Sequence, residues 1–438
     1  MPFRIIVVLI GEIGGAIAAT ISPYLGVLML LFLNFGRPQD DRPNVEPLHI
    51  PMVFTLAVSV GLLFRLAGSM PDFFAALKKL RIILLFYALM LVSGILHWTE
   101  LSKNRLDDFS TLMCFCVMSL MLVKTPKQLR GYLNAMLFSG AYVAIRALRN
   151  PSSIVEHIAG QEYERAAIAK GGTVFGNSNY LALFMVLTIF LSITMMSFYK
   201  KTWQRILLLL VTSGAGYVFF KANSRGASIA LGLGMLVLWV LSKQKLKAAV
   251  ALVLLLSVAA VVAPESYWSR LSTVSTYQED ASAMDRLQLW NIALDLIPQH
   301  PVFGIGPDNF VLYAPNTPHN AYLQVSCEIG IPALLLYVAI LLTGLYASVR
   351  ARKVSLASHG QTAALLQAAS LGVFCCVLAV TVQGFTTGLA HREIVYVFVT
   401  MAVMIRGFAE NLSEAVEPAK PSSVITKSSE LVGSPLST

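Results

Sequence analysis

Long apolar runs dominate this chain and recur from its first residues to about residue 408. Each is roughly 17 to 25 residues long, the length of α-helix that crosses the hydrocarbon core of a bilayer. Inside a bilayer every backbone polar group needs an internal partner, so such runs form helices. Only 13% of the 438 residues are charged, against about 25% in a soluble domain. The sequence therefore predicts an all-α polytopic integral membrane protein and excludes a soluble one.

Hydropathy predicts about twelve transmembrane helices. The apolar region over 3–36 either crosses once or forms two short helices that break at Pro23. One membrane domain is expected over 1–408, followed by a polar, disordered cytoplasmic tail over 409–438. The other candidate spans lie near 51–68, 80–98, 108–123, 130–148, 173–198, 204–221, 226–242, 246–263, 320–348, 364–388 and 392–408.

Short basic clusters occur at every second connection between the apolar runs, which by the positive-inside rule marks those connections as cytoplasmic. Both termini are then cytoplasmic if 3–36 crosses once. The longest connection on the opposite side, 264–319, holds six carboxylates and two arginines. The sequence thus predicts a large, partly helical outer loop. The basic clusters lie at 78–81, 124–130, 200–205, 243–247 and 350–353, and the other expected outer connections are 99–107, 149–172, 222–225 and 389–391.

The net charge of +10 does not indicate a nucleic-acid ligand, because the basic residues are spread among short clusters and form no single patch. The five cysteines lie within or beside apolar runs without metal-binding spacing, so we interpret them as small buried hydrophobic residues. The outer loops carry no Asp-x-Asp pair and no His/Cys spacing of a metal site. The sequence therefore predicts no metal and no other cofactor, with membrane lipids as partners.

The outer loop 264–319 ends in a polar segment, Asn316 to Asn320, just before a predicted helix. His319 would then lie at a helix N-terminus that faces the outer leaflet. Because histidine exchanges protons near neutral pH, it suits a general base toward a hydroxyl group. The simpler alternative is an interfacial or capping histidine. His319 is the leading candidate for catalysis, and Asn320 is a candidate for ligand contact.

Two arginines stand in polar segments on the same predicted side. Arg286 opens an amphipathic segment, and its fork of donors suits phosphate; a solvated arginine paired with Asp285 is the alternative. Arg225 lies between small residues, where a cation at membrane depth needs an anionic partner or extends to the interface. Trp290 is a candidate substrate contact, although an interfacial anchor is the commoner role.

Further basic residues on the outer side run against the positive-inside bias. This suggests an anionic lipid-linked ligand near the outer leaflet, and contact with ordinary lipid headgroups is the alternative. The glycine-rich segment 171–180 opens a helix whose free amides suit a phosphate or a sugar, or are simply capped. It lacks the Lys-Ser/Thr ending of a P-loop. The candidate binding residues here are Arg146, Arg149, Arg165, Lys170 and, in the glycine-rich segment, Asn177.

This combination of spans, outer loop and motifs resembles the O-antigen ligase family, within the superfamily that also holds O-antigen polymerases and protein O-oligosaccharyltransferases. The resemblance covers most of the chain. It depends on the number of spans, the large outer loop late in the chain, and the order of the polar motifs. Those motifs are the Ser-Arg-Gly-Ala element at 224–227, Arg286 with Trp290, and His319-Asn320 leading to Glu328-Ile329-Gly330.

The resemblance implies a glycosyltransferase of the bacterial inner membrane, with 1–408 as its catalytic domain. It would move a glycan from undecaprenyl diphosphate to a sugar hydroxyl of the lipid A core on the periplasmic face. By the same resemblance His319 matches the catalytic histidine, and Arg225 and Arg286 match the essential arginines. We expect a metal-independent, inverting reaction in which His319 is the general base and fixed guanidinium groups stabilise the leaving diphosphate.

Other activities remain open at this point. An O-antigen polymerase would use a second lipid-linked glycan as acceptor. A protein O-oligosaccharyltransferase is less favoured, because such enzymes often carry a larger outer C-terminal region. A transporter or flippase would line a path across the bilayer with arginines, but the polar residues gather at one face and no internal repeat is evident. That asymmetry favours an enzyme.

Overall fold

The computed structural model describes residues 13–38, 50–64, 66–149, 152–158, 161–167, 174–242, 245–246, 267–268 and 281–414. Lys170, most of the span predicted near 246–263 and the tail beyond 414 lie outside these ranges. The described chain is mainly helical. Its helices are α1 (Pro23–Phe35), α2 (Ile50–Leu63), α3 (Leu66–Lys79), α4 (Arg81–Leu96), α5 (Glu100–Leu122), α6 (Pro126–Arg149), α7 (Ser178–Phe198), α8 (Thr202–Ala222), α9 (Arg225–Val240), α10 (Ala281–Leu296), α11 (Ala321–Glu328), α12 (Ile331–Leu356), α13 (Gln361–Gln383) and α14 (Glu393–Glu414), and its strands are β1 (Ser152–Ile158) and β2 (Gln161–Ala167).

Four of the described helices, α7, α8, α12 and α13, are long and apolar enough to cross a membrane. The segments Met70–Lys79 and Arg81–Leu96 form a pair bent by 76° and add a fifth span if they cross together. Helices α1, α2 and α9 are apolar but shorter. The structure is therefore that of a polytopic α-helical membrane protein, while the predicted number of twelve spans is not confirmed.

A short β-hairpin lies in the connection predicted over 149–172. Strands β1 and β2 pair antiparallel, with Ser152 opposite Ala167 and Ile158 opposite Gln161. Hydropathy does not predict these strands, because two seven-residue strands give no signal in a pattern read at the length of a membrane helix. The fold is thus predominantly α-helical, with a hairpin that was not predicted.

The single span predicted near 320–348 is two helices in the structure. Helix α11 ends at Glu328 and α12 begins at Ile331, and Gly330 between them has a φ of +103°. Glycine adopts this conformation without a steric penalty, and Pro332 fits the first turn of α12, where no N–H partner is needed. At the end of the chain, α14 continues to Glu414, beyond the boundary predicted at 408.

Helix α7 forms the centre of the bundle. Its most apolar stretch is 83% buried, against 28% for the neighbouring α8, and it packs against α6, α8 and α13. A Cβ atom on Gly140 would clash with Thr188, and one on Gly372 would clash with Thr194. Such small residues at helix crossings are typical of membrane proteins, in which helices associate through close van der Waals packing.

Replacing Gly330 with alanine is expected to lower thermal stability. The added Cβ would clash with the Val302 carbonyl oxygen, and the positive φ is strained for a residue with a side chain, at a cost of about 1–3 kcal/mol. Gly360→Ala is the matched control, because its φ is +98° but no heavy atom of the described chain lies within 4 Å of the added carbon. Thermal unfolding in detergent should show the lower midpoint for Gly330→Ala; equal midpoints would contradict the steric argument.

Candidate active site

A polar cavity of about 390 Å³ lies where several connections between helices meet. It is bounded by the starts of α5 and α7, by the segment between α10 and α11, and by the segment between α13 and α14. Each of these belongs to or directly follows a connection predicted on the outer side of the membrane. The described residues that line it are Leu101, Arg105, Asn177, Tyr180, Asp308, Val311, Asn316, Thr317, His319, Gln324, Gly388, His391 and Arg392.

His319 reaches this cavity from the position two residues before α11. Its φ is +50°, a left-handed conformation that is uncommon for residues other than glycine. Asn320 fixes the helix start, since its Oδ1 atom accepts hydrogen bonds from the backbone N–H groups of Tyr322 at 3.0 Å and Leu323 at 3.1 Å. Asn320 is therefore the buried N-cap of α11 and is not among the described residues that line the cavity.

Trp290 supports the segment that carries His319. Its Nε1 atom donates a hydrogen bond to the carbonyl oxygen of Pro318 at 2.8 Å. Arg286 precedes Trp290 by four residues on α10, and residues at this spacing share a helix face. Arg286 is half-buried and does not line the described cavity. The structure thus places the Arg286–Trp290 pair beside the loop that positions the histidine.

A buried pair of Glu328 and His391 lies against the same cavity. The Nε2 atom of His391 is 2.7 Å from Oε2 of Glu328, and Gln324 Nε2 donates to that oxygen at 3.3 Å. Glu328 is completely buried and His391 is 6% exposed. The N–H of Gly306, at a φ of +95°, donates to the Glu328 carbonyl oxygen at 2.9 Å. The glycine turn after α10 therefore fixes the end of α11, and Glu328 in turn orients the His391 ring.

Arg105 and Asp308 form an ion pair at the cavity wall. The Nε atom of Arg105 donates to Oδ2 of Asp308 at 2.8 Å, and Nη2 lies 2.6 Å from the same oxygen. Burial raises the pKa of Asp308, but the charges of Arg105, His391 and Arg392 outweigh this, so that the pKa lies below its ordinary value. The Asp308 carboxyl group is therefore negatively charged at neutral pH and is neutralised mainly by Arg105.

Arg392 lines the cavity opposite the start of α7. Its guanidinium carbon lies 4.9 Å from the centre of the Tyr180 ring, a distance typical of a cation–π contact. The Tyr180 hydroxyl donates to the carbonyl oxygen of Gly388 at 2.6 Å, which fixes the ring. Burial lowers the pKa of Arg392. Tyr180 and Glu393 raise this pKa by more than burial lowers it, so the net shift is upward. Arg392 therefore stays positively charged within the cavity.

Asn177 lines the cavity, as predicted for a ligand contact, and it is also the N-cap of α7. Its Oδ1 atom accepts the backbone N–H of Asn179 at 2.8 Å. The 224–227 element adjoins this helix start, because Ser224 Oγ donates to Asn179 Oδ1 at 2.8 Å. Arg225 is the first residue of α9 and is half-buried. Arg225 lies near the cavity because the preceding residue, Ser224, is bonded to Asn179. Arg225 is not among the described lining residues.

Arg146 and Arg149 are not among the described residues that line the cavity. Arg146 is buried, and its Nη1 atom donates to the carbonyl oxygens of Gly36 at 3.3 Å and Arg37 at 2.9 Å. It thereby satisfies carbonyl groups at the C-terminal end of α1. Arg149 is exposed at the end of α6, and Arg165 lies in β2 opposite Ile154. Their role in ligand binding stays a prediction.

Three described residues could together hold a metal ion. Asp308, Glu328 and His391 each offer a ligand atom, and these atoms lie within 4.8 Å of one another. In this structure Arg105 is bonded to Asp308 Oδ2, and His391 Nε2 is bonded to Glu328 Oε2. A cation would compete with both contacts and lie near two guanidinium groups, which is electrostatically costly. The absence of a metal requirement stays a prediction.

Sequence reasoning missed His391 and Arg392. They fall in the connection between two apolar runs, where a basic or aromatic residue is ordinary at a membrane interface. Their distinguishing contacts, with Glu328 and Tyr180, join residues that are 63 and more than 200 positions apart. The available signal was the predicted side of the membrane, since 389–391 and 264–319 were both expected on the outer side.

The helices and this cavity define a class, a multi-pass α-helical membrane protein with a polar site at the ends of its apolar helices. Residues 207–338 match a family model described as O-antigen ligase. This match supports the resemblance to the O-antigen ligase family and, at a coarse level, points to a glycosyltransferase-like membrane enzyme. The matched segment includes Arg225, Arg286 and His319 but neither Arg105 nor Arg392. A comparison with curated proteins gives no match.

Proposed function

We propose that this protein transfers a glycan from undecaprenyl diphosphate to a sugar hydroxyl of the lipid A core, on the periplasmic face of the bacterial inner membrane. The observation that carries the proposal is the position of His319, which lines a polar cavity shared with two arginines. The lining residues come from or directly follow connections that the charge pattern predicts on one side. A base and cations at the ends of membrane helices suit a reaction between two lipid-linked substrates.

His319 acts as the general base in this proposal. One of its ring nitrogens takes the proton of the acceptor hydroxyl while the hydroxyl oxygen attacks C1 of the donor sugar. The bond between C1 and the diphosphate oxygen breaks, and the diphosphate leaves with the electron pair. Attack from the face opposite the diphosphate inverts the anomeric centre. The reaction needs no nucleotide, because the bond that breaks is already activated in the donor.

Arg225 and Arg286 stabilise the negative charge that grows on the departing diphosphate. Two contacts support this role. Arg225 follows Ser224, which is bonded to Asn179 beside the cavity, and Arg286 lies one turn from Trp290, which is bonded to Pro318. Arginine suits the task because its planar donors match phosphate oxygens.

The direct test incubates the purified protein with lipid-linked glycan and lipid A core, and follows glycan on the acceptor. We expect transfer by the unchanged protein, a strong loss with Arg286→Ala, and full transfer with Arg350→Ala, an exposed arginine at the far end of α12. Lengthening of the lipid-linked glycan without transfer to lipid A core would instead establish a polymerase. An unchanged rate for Arg286→Ala would remove that arginine from the mechanism.

Removal of divalent metals is expected to leave the transfer rate unchanged. Asp308 Oδ2 is already paired with Arg105, and Glu328 Oε2 with His391 Nε2, and the proposed reaction assigns no step to a metal. The measurement is the initial rate with excess EDTA, followed by addition of magnesium, manganese or zinc. Loss of activity that one of these ions restores would contradict the prediction and identify the three residues as metal ligands.

A further inference from the structure

Arg392 is a cation in the cavity whose charge is not neutralised by a direct carboxylate partner. Within the described part of the chain, no Asp or Glu oxygen lies within 4 Å of its guanidinium nitrogens; the adjacent Glu393 is 3.9 Å from Arg37 instead. Its side chain is half-buried and lines the cavity. This arrangement therefore favours an anionic ligand.

Arg105 provides the contrast within the same cavity. Its guanidinium lies 2.6 Å from Asp308 and 3.5 Å from Asp108, so its charge is already balanced by the protein. Arg392 contacts the face of Tyr180 instead. Stacking on an aromatic ring fixes the plane of a guanidinium, and no carboxylate of the described residues is bonded to this one. Of these two cavity arginines, Arg392 is the one suited to bind a ligand.

His391 gives a second and independent observation. Its Nε2 atom is bonded to Glu328, whereas its Nδ1 atom is buried without a hydrogen-bond partner among the described residues. Buried polar atoms are almost always paired. His391 also lines the cavity, directly before Arg392 in the chain. A ligand that contacts both side chains would satisfy the Nδ1 atom and the guanidinium together.

We propose that Arg392 and the Nδ1 atom of His391 form a subsite for the diphosphate group of a lipid-linked ligand. Arg392 binds two phosphate oxygens through its N–H fork. Glu328 holds the His391 ring through its Nε2 atom, so Nδ1 is the ring nitrogen left for the ligand. The subsite rests on the proposed function for its place in the reaction, where it holds the leaving group while His319 faces the acceptor.

The test measures binding of undecaprenyl diphosphate, without a glycan, to the purified full chain in phosphatidylcholine nanodiscs. We expect Arg392→Gln to raise the dissociation constant by about 10- to 100-fold, as for the loss of charged hydrogen bonds. The dissociation constant of Arg392→Lys should lie between those of the unchanged protein and Arg392→Gln, because lysine keeps the positive charge but lacks the N–H fork. Undecaprenol, which lacks the phosphates, should bind the unchanged protein and Arg392→Gln equally.

Arg406→Gln is the matched control. Arg406 also lies over a tyrosine ring, 5.3 Å from the centre of Tyr346, but it is bonded to Glu410 at 2.8 Å and does not line the described cavity. The Arg406→Gln variant should bind undecaprenyl diphosphate with the same dissociation constant as the unchanged protein. An elution profile identical to that of the unchanged protein in size-exclusion chromatography verifies that each variant is folded.

Several results would overturn the subsite. One is an unchanged dissociation constant for Arg392→Gln, and another is displacement of undecaprenyl diphosphate by phosphatidylglycerol, which would identify a general headgroup site. Weaker binding by Arg392→Gln in a protein that transfers no glycan would support the subsite and refute the proposed function. Normal transfer and normal donor KM in Arg392→Gln would support the function and refute the subsite.

Discussion

His319→Ala is expected to reduce the transfer rate by about 10²- to 10⁴-fold, the range typical for loss of a general base. The acceptor hydroxyl is a weak nucleophile until its proton is removed, and His319 lines the cavity in which the reaction is proposed. The loss should fall mainly on kcat, because the base acts on the proton in the transition state more than on binding of the lipid-linked donor. The measurement is the initial rate at saturating donor and acceptor.

His359→Ala controls for general effects of removing a histidine. This residue is exposed in the connection between α12 and α13, next to a cluster predicted as cytoplasmic, and the variant should transfer glycan normally. His319→Ala should retain binding of undecaprenyl diphosphate, which separates a chemical defect from misfolding. A rate for His319→Ala within a few-fold of the unchanged protein would show that another group removes the proton.

Glu328→Ala is expected to destabilise the protein by about 1–3 kcal/mol, as for leaving the buried polar partner of a hydrogen bond unpaired. Glu328 is completely buried, and its loss would leave His391 Nε2 without an acceptor. We expect a large drop in the unfolding midpoint in detergent, or failure to accumulate in the membrane.

Two further substitutions separate burial from charge. Glu328→Gln keeps the shape and one oxygen to accept from His391, so its loss of stability should be smaller. Glu410→Ala removes a carboxylate that is 39% exposed and bonded to Arg406, and exposed pairs contribute only about 0–1 kcal/mol. If Glu328→Ala and Glu410→Ala lowered the midpoint equally, the buried pair would have no special structural role.

Much of the membrane architecture could be predicted from the sequence. Helices α7, α8, α12 and α13 correspond to predicted apolar runs and are long enough to cross a bilayer, because hydropathy reports directly the cost of exposing polar groups to lipid. The hairpin of β1 and β2 was not predicted, since short strands have no pattern at helix length. The break between α11 and α12 depends on Gly330, which contacts the segment at Val302, and a hydropathy profile contains no such contact.

The candidate site was predictable only in part. His319 and Asn177 were singled out from their local sequence, and the structure places both at one cavity. Arg105, His391 and Arg392 were not, although they line the same cavity. Each is an ordinary interfacial residue in its own segment. Their importance depends on contacts with Asp308, Glu328 and Tyr180, which the chain brings together from distant positions.

The sequence by itself determined that this chain is an α-helical membrane protein that resembles the O-antigen ligase family, because apolar length and motif order are properties of the linear chain. Only the tertiary structure decided which polar residues share a cavity. Helix packing brings the start of α7, the end of the large outer loop and the start of α14 to one place. The charge balance of Arg105 and Arg392 differs for the same reason, since it depends on which carboxylates the fold places within ion-pair distance.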